Sequence, residues 1–412
     1  MTTVSHNHVN YQARLDFVQT VLQERFGLKE IAEVTPIQYD PECPFKYNNF
    51  VYRVYFNAPI TATNDGPEQP GCVPIPNDTK ELIFRLANPG AEGMIQTTRI
   101  ENEVATIALA STALVGFVPR VVPSVYGWGS AATKSSQGWI LQELMPGASL
   151  DESFGAMDLE KKRGIFAQMG KILKALQDYE LPASITGFGG VTFDGNGYIV
   201  STAMTSVGAG PWPTYEASFK GRLEVALRKA DESPYIEGWH ANGVRERLDA
   251  FVDRGVPAQF EDLDSKQDRV IIHADFTANN ILFDATSNRI TALIDYDFAC
   301  ISHPSYEFLR SFDGVGGHFR GWSTNEACDA MSLRDAKLHG FPSPLPPTTK
   351  DGVKWEVVKA WEDKLEKLDV KRPRNMRGID KVADIDTSEE AIFKCRNENE
   401  TQLSGLLSRL GF

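Results

Sequence analysis

Long apolar runs, paired cysteines and internal repeats are all missing from this 412-residue chain, and each absence removes a class of protein. The most apolar segment, Ala108 to Pro119, is too short to cross a bilayer. The opening MTTVSHNHVNYQARLDF has neither a basic stretch nor an apolar core, so no secretory signal is expected and the cytosol is the expected compartment. Cysteine is scarce, with five residues (Cys43, Cys72, Cys300, Cys328 and Cys395) far apart and no C-x-x-C, which points to reduced thiols and not to a disulfide framework or a zinc site. Positive charge is in deficit. A net charge of −13 and a pI near 5.1 leave no basic stripe to displace phosphate counterions, so nucleic acid is not an expected partner. The one basic run, LDVKRPRNMRGIDK, reads as a solvated connection. GFGGVTFDGNGYIV looks like a phosphate loop, but no helix follows it, and a hairpin with an Asp-Gly-Asn-Gly turn is expected instead.

What the chain does have is concentrated between Arg269 and Phe298. Three apolar runs of strand character, Val270 to Ile272, Ile281 to Phe283 and Ile290 to Ile294, carry polar residues at their ends. Among these are Asp275, Asn280, Asp295 and Asp297. Phosphoryl transfer needs hard oxygen ligands for Mg²⁺ and an acidic group for the proton of the attacking hydroxyl, and this stretch supplies both. An Asp, an Asn five positions on and a later Asp beyond two strands is also the order found in kinase catalytic segments.

The stretch resembles the aminoglycoside phosphotransferase family, also called the phosphotransferase enzyme family, which shares the protein-kinase fold. The family pattern H-G-D-x-x-x-x-N followed by I-D-x-D is matched by His273-Ala274-Asp275-Phe276-Thr277-Ala278-Asn279-Asn280 and Ile294-Asp295-Tyr296-Asp297. Ala274 replaces the usual Gly, which matters only where the backbone needs a positive φ. The resemblance implies an α+β, two-lobed fold, with a small antiparallel-sheet N-lobe bearing one helix and a larger, mainly helical C-lobe. It places the lobes at residues 1–141 and 148–412, joined by a hinge at 142–147. It also implies roles. Asp275 accepts or orients the hydroxyl proton, Asn280 and Asp295 hold Mg²⁺, Asp297 supports them or holds a second ion, and His273 ties the catalytic loop to the Asp295 turn.

Upstream, Tyr11 to Phe26 reads as an amphipathic helix, and Ala32 to Tyr39, Phe50 to Phe56 and Glu81 to Leu86 read as strands. Residues 58–80 read as a long loop. The turn CPFKYNN falls where the family covers the nucleotide, with Asn48 or Asn49 at its Asn position and the Gly missing; a plain hairpin turn is the alternative. Arg85 takes the place of the kinase β3 cation. Gln96 to Leu114 has helical spacing, and Glu103, preferred over Glu101, borders its apolar stripe where the resemblance places the partner of that cation. Val121 to Tyr126 and Trp139 to Leu144 read as strands, and the resemblance makes Gln142, Glu143, Leu144 and Met145, before Pro146-Gly147, the candidate adenine hinge; an ordinary strand-to-turn join is the alternative. Downstream helices are expected at Asp158 to Tyr179 (capped by Asp158), Trp212 to Lys229, Val244 to Val252, from Pro304, and at Asp329 to Leu338, Trp355 to Leu368 and Ser388 to Leu410.

The expected function is ATP-dependent transfer of a γ-phosphoryl group to the hydroxyl of a small aminoglycoside-, choline- or homoserine-like acceptor. The acid-rich composition allows an amine-bearing acceptor. The alternatives are a kinase-fold protein that binds nucleotide or a partner without catalysis, and a kinase-fold enzyme of another ATP-linked step.

Overall fold

The computed structural model describes residues 7–37, 40, 43, 45–60, 69–132, 136–317, 319, 329–348, 352–385 and 396–412. Helix α1 (Tyr11–Phe26) precedes an antiparallel sheet of β1 (Ile31–Pro36), β2 (Asn49–Phe56), β3 (Glu81–Ala87), β4 (Val125–Gly129) and β5 (Trp139–Glu143), in the order β1-β2-β3-β5-β4. Alternation in β2 sends Phe50, Tyr52, Val54 and Phe56 to one face, where they pack with Leu82, Phe84, Leu86 and Leu141 beneath Val18, Val21 and Leu22 of α1. Helix α2 (Gln96–Ala113), between β3 and β4, belongs to the larger core through Ile100, Val104 and Ile107.

Beyond β5 the chain turns mainly helical. A short β6 (Ala148–Ser149) and α3 (Asp151–Phe154) lead to α4 (Leu159–Asp178), whose first turn is capped by Asp158 accepting from the Lys161 N–H at 2.8 Å. The hairpin β7 (Gly190–Phe193) and β8 (Ile199–Thr202) follows, then α5 (Tyr215–Glu232), α6 (Val244–Ala250) and α7 (Val256–Phe260). The polar-ended stretch supplies β9 (Val270–Ile272), β10 (Ile281–Asp284) and β11 (Arg289–Leu293), with β12 (Cys300–Ser302) pairing antiparallel to β9 and β6 pairing to β10. Helices α8 (Pro304–Arg310), α9 (Asp329–His339), α10 (Trp355–Lys367), α11 (Ile379–Ile385) and α12 (Arg396–Arg409) complete the described chain. Among the described residues no helix is long and apolar enough to cross a membrane.

Where boundaries differ from expectation, proline and capping explain the shift. The strand expected from Val121 starts at Val125, because Pro123 has no N–H for a ladder. The helix expected from Trp212 starts at Tyr215. Trp212 instead exchanges backbone hydrogen bonds with Phe188, and Thr214 caps the helix. The end of the expected Ala32 to Tyr39 strand, residues 61–68 of the expected 58–80 loop, part of CPFKYNN, the start of the Ser388 to Leu410 helix, Cys328 and Cys395 lie outside the described residues.

Candidate active site

Strand β3 and helix α2 bring the first pair together. Arg85 and Glu103 form an ion pair with side chains only 7% and 1% exposed. Burial pushes the Glu103 carboxyl up to about 8 against the pull of Arg85, and Asp297 shares a hydrogen bond with it. Arg85 also reaches Asp295 at 2.7 Å and lies 3.8 Å from Asp297.

The catalytic-type loop between β9 and β10 is held from two sides. His273 is fully buried, and its Nδ1 accepts the Asp275 N–H at 3.3 Å. Its Nε2 therefore carries the proton and donates to the Ile294 carbonyl at 3.0 Å, linking this loop to the turn at Asp295. From the other side Glu307 of α8 accepts the backbone N–H groups of His273 and Ala274 at 2.7 and 3.0 Å. Ala274 sits at φ +63°, so this backbone does need the left-handed region that the usual Gly would reach more easily. Asn280 Nδ2 donates to Asp275 Oδ2 at 2.8 Å and to its carbonyl at 3.0 Å, leaving the Asn280 Oδ1 as an acceptor. Burial, then the charge of Asp295, pushes the Asp275 carboxyl up to about 6.

Asp295 and Asp297 are unlike. The Asp295 side chain is 39% exposed toward the cleft, whereas that of Asp297 is 1% exposed. Asp297 accepts from Arg99 at 3.0 and 3.1 Å and from Asn49 Nδ2 at 2.6 Å. Burial alone would raise its pKa, but Arg99 and then Arg85 outweigh it and hold the carboxyl below the ordinary range. Glu103, Asp295 and Asp297 each offer an oxygen within 4.8 Å of the others, a grouping of hard oxygens of the kind that could hold Mg²⁺.

A cleft of about 1240 Å³ runs past Arg85, Asp275, Asn280 and Asp295 to Gln142, Glu143, Leu144 and Met145, with Asn48 and Asn49 on its rim. The Asn48 carbonyl is taken by the Asn88 N–H at 2.9 Å, and the Asn49 side chain by Asp297 and Arg99. Gln142 and Glu143 remain in β5, and the Glu143 carboxylate turns aside to Arg120 at 2.8 Å, so Leu144 and Met145 are the first of the four beyond the strand. Gly147 follows at φ +106°, where a Cβ would come within 2.6 Å of Thr291 Oγ1 and 3.0 Å of the Phe283 carbonyl. This turn is thereby pressed against β10 and β11.

Two residues that organise the site were not singled out in the sequence. Arg99 lies one helical turn before Glu103, so i, i+4 spacing placed it on the same face, though nothing local showed an arginine fully buried there. Glu307 lies in the first turn of α8, a place where an acid is ordinary and does not mark a site.

A profile of the phosphotransferase enzyme family matches residues 76–336. No curated protein sequence matches the chain. Among solved structures, APH(2″)-IIa in a ternary complex with streptomycin and ATP is 12% identical, aligns over 97% of both chains and has a TM-score of 0.50. A thermostable mutant of aminoglycoside phosphotransferase APH(4)-Ia, in a complex with ADP and hygromycin B, is 14% identical over 95% of this chain and 97% of that one, with a TM-score of 0.47. At 12% identity the likeness to APH(2″)-IIa speaks to the fold alone, which is the two-lobed kinase-like α+β architecture. Since the profile spans more than half of its residues, the chain belongs to the phosphotransferase enzyme family.

Proposed function

We propose that the protein transfers the γ-phosphoryl group of ATP to a hydroxyl of a small molecule in the cytosol. The observation that carries this reading is the meeting, in one cleft, of Asp275 with the Arg85 and Asp295 pair and with the Gln142 to Met145 segment. Backbone groups at Leu144 and Met145 would receive adenine. Arg85 places fixed positive charge beside the phosphates. Asp275 has one carboxylate oxygen held by Asn280, which leaves the other to accept the hydroxyl proton, and a pKa raised toward neutrality suits that task. Asn280 and Asp295 would hold Mg²⁺, with Asp297 braced behind by Arg99 and Asn49. When bound, the ion neutralises phosphate charge. Aminoglycosides, choline-like amino alcohols and homoserine-like hydroxy amino acids form the first acceptor panel.

The test is ADP release from the full chain with ATP and Mg²⁺ over that panel. Acceptor-dependent release supports the reading. Saturable ATP binding with no acceptor-dependent ADP from any hydroxyl compound would overturn it.

A further inference from the structure

The cleft that holds Asp275 is also lined by Leu333, Val353, Val357 and Val358 of the α9–α10 region and by two lysines, Lys162 of α4 and Lys354 at the start of α10, the helix that packs against α4. Lys162, near the start of α4, is only 7% exposed. Its Nζ donates to the Gly155 carbonyl at 3.3 Å and lies 5.2 Å from the centre of the Phe154 ring, which uses one of three N–H groups. Lys354 is exposed at the N-terminus of α10, where the helix adds partial positive charge. The two ammonium groups act on each other: burial, then Lys354, pulls Lys162 below the ordinary lysine range, and only Asp158 pulls the other way. Asp151 and Glu152 of α3 and Asp313 line the same cleft but are solvent-exposed, and among the described residues no carboxylate forms an ion pair with either lysine.

A lysine this buried gives up its hydration, and a second cation beside it adds repulsion; an anion between them would relieve both. We propose that Lys162 and Lys354 form an anion site in the acceptor half of the cleft, so that the hydroxyl compound phosphorylated here carries a carboxylate or phosphate group. This rests on the phosphotransferase reading above and sharpens its substrate class. The valine and leucine wall beside the lysines suits a short apolar segment between the anionic group and the hydroxyl.

The experiment compares glycerate and glycerol 3-phosphate with their uncharged counterparts, glyceramide and glycerol, and with choline, as acceptors for wild type and for the Lys162→Met/Lys354→Met variant. Methionine keeps the aliphatic stem against Phe154, and an unchanged melting temperature confirms folding. Wild type is expected to prefer an anionic acceptor, the glycerate and glycerol 3-phosphate arms telling carboxylate from phosphate. The variant is expected to raise that acceptor's KM about ten- to a hundredfold, the worth of hydrogen bonds to a charged group, with KM for ATP unchanged. Turnover confined to the uncharged compounds or choline, or a variant that changes only KM for ATP, overturns the site. If no acceptor is phosphorylated at all, the phosphotransferase reading fails separately. The anion site is then judged by binding of glycerate and glycerol 3-phosphate to the folded proteins: loss in the variant supports it, and equal binding or none overturns it.

Discussion

The backbone N–H of Ala274 donates to Glu307 at 3.0 Å while Ala274 itself is held at φ +63°. The buried carboxylate, which also takes the His273 N–H, pins a left-handed turn on a residue with a Cβ. An L-residue in that region costs about 1–2 kcal/mol, and Gly loses about 0.5–1 kcal/mol of chain entropy instead. Ala274→Gly is therefore expected to stabilise the fold by up to about 1 kcal/mol in urea melts. Ala274→Val, bulkier and branched at a buried position, is expected to cost about 2 kcal/mol or more. A valine variant as stable as wild type would show that the turn is not pinned.

Arg99 and Asp297 form a buried charge pair joining α2 to the turn after β11. Removing one partner strands the other charge, so Arg99→Met is expected to cost about 3–5 kcal/mol. Arg99→Met/Asp297→Leu should cost clearly less than the two single changes summed. Additive costs in the double-mutant cycle would mean that Arg99 acts by packing alone.

His303 supplies a pH dependence with a definite sign. Its Nδ1 accepts from the Ser305 N–H at 3.2 Å, its Nε2 meets Ser265 Oγ at 3.0 Å, and its ring stacks on Tyr215 at 4.6 Å. Burial lowers its pKa to about 3. The folded state therefore holds His303 neutral while the unfolded chain binds a proton below about 6.5, so this contribution is complete above that pH and is lost as pH falls toward 3. His303→Asn keeps a capping acceptor for α8 and removes the titration. Between pH 7.5 and pH 5, wild type is expected to lose about 2 kcal/mol more stability than the variant. Parallel stability profiles would contradict the buried neutral histidine.

Local pattern and long-range partnership divide what could be read in the chain. The strand around Arg85, the α2 stripe and the Asp275, Asn280 and Asp295 order were visible because the period of an element and the spacing within a motif are local properties. Arg99 was not, because its burial depends on Asp297, 198 positions away, and an arginine on a helix is ordinarily solvated. Glu307 was missed for the same reason: its partners are backbone N–H groups of another segment, which leave no mark on side-chain pattern. Strand β12 was too short to register, and it pairs only because β9 lies beside it.

Asp275 carries the central claim. Replacing it with Asn preserves size and a hydrogen-bonding side chain but removes the proton acceptor. Asp275→Asn should lower kcat about 10² to 10⁴-fold and leave nucleotide affinity intact.

The most direct measurement follows the γ-phosphate of labelled ATP into a small-molecule product whose mass is then determined, with wild type and Asp275→Asn side by side. The account predicts a labelled phosphate ester from wild type, formed at least a hundredfold more slowly by the variant. Equal rates from the two proteins, or bound ATP that never passes its label to a hydroxyl, would contradict it.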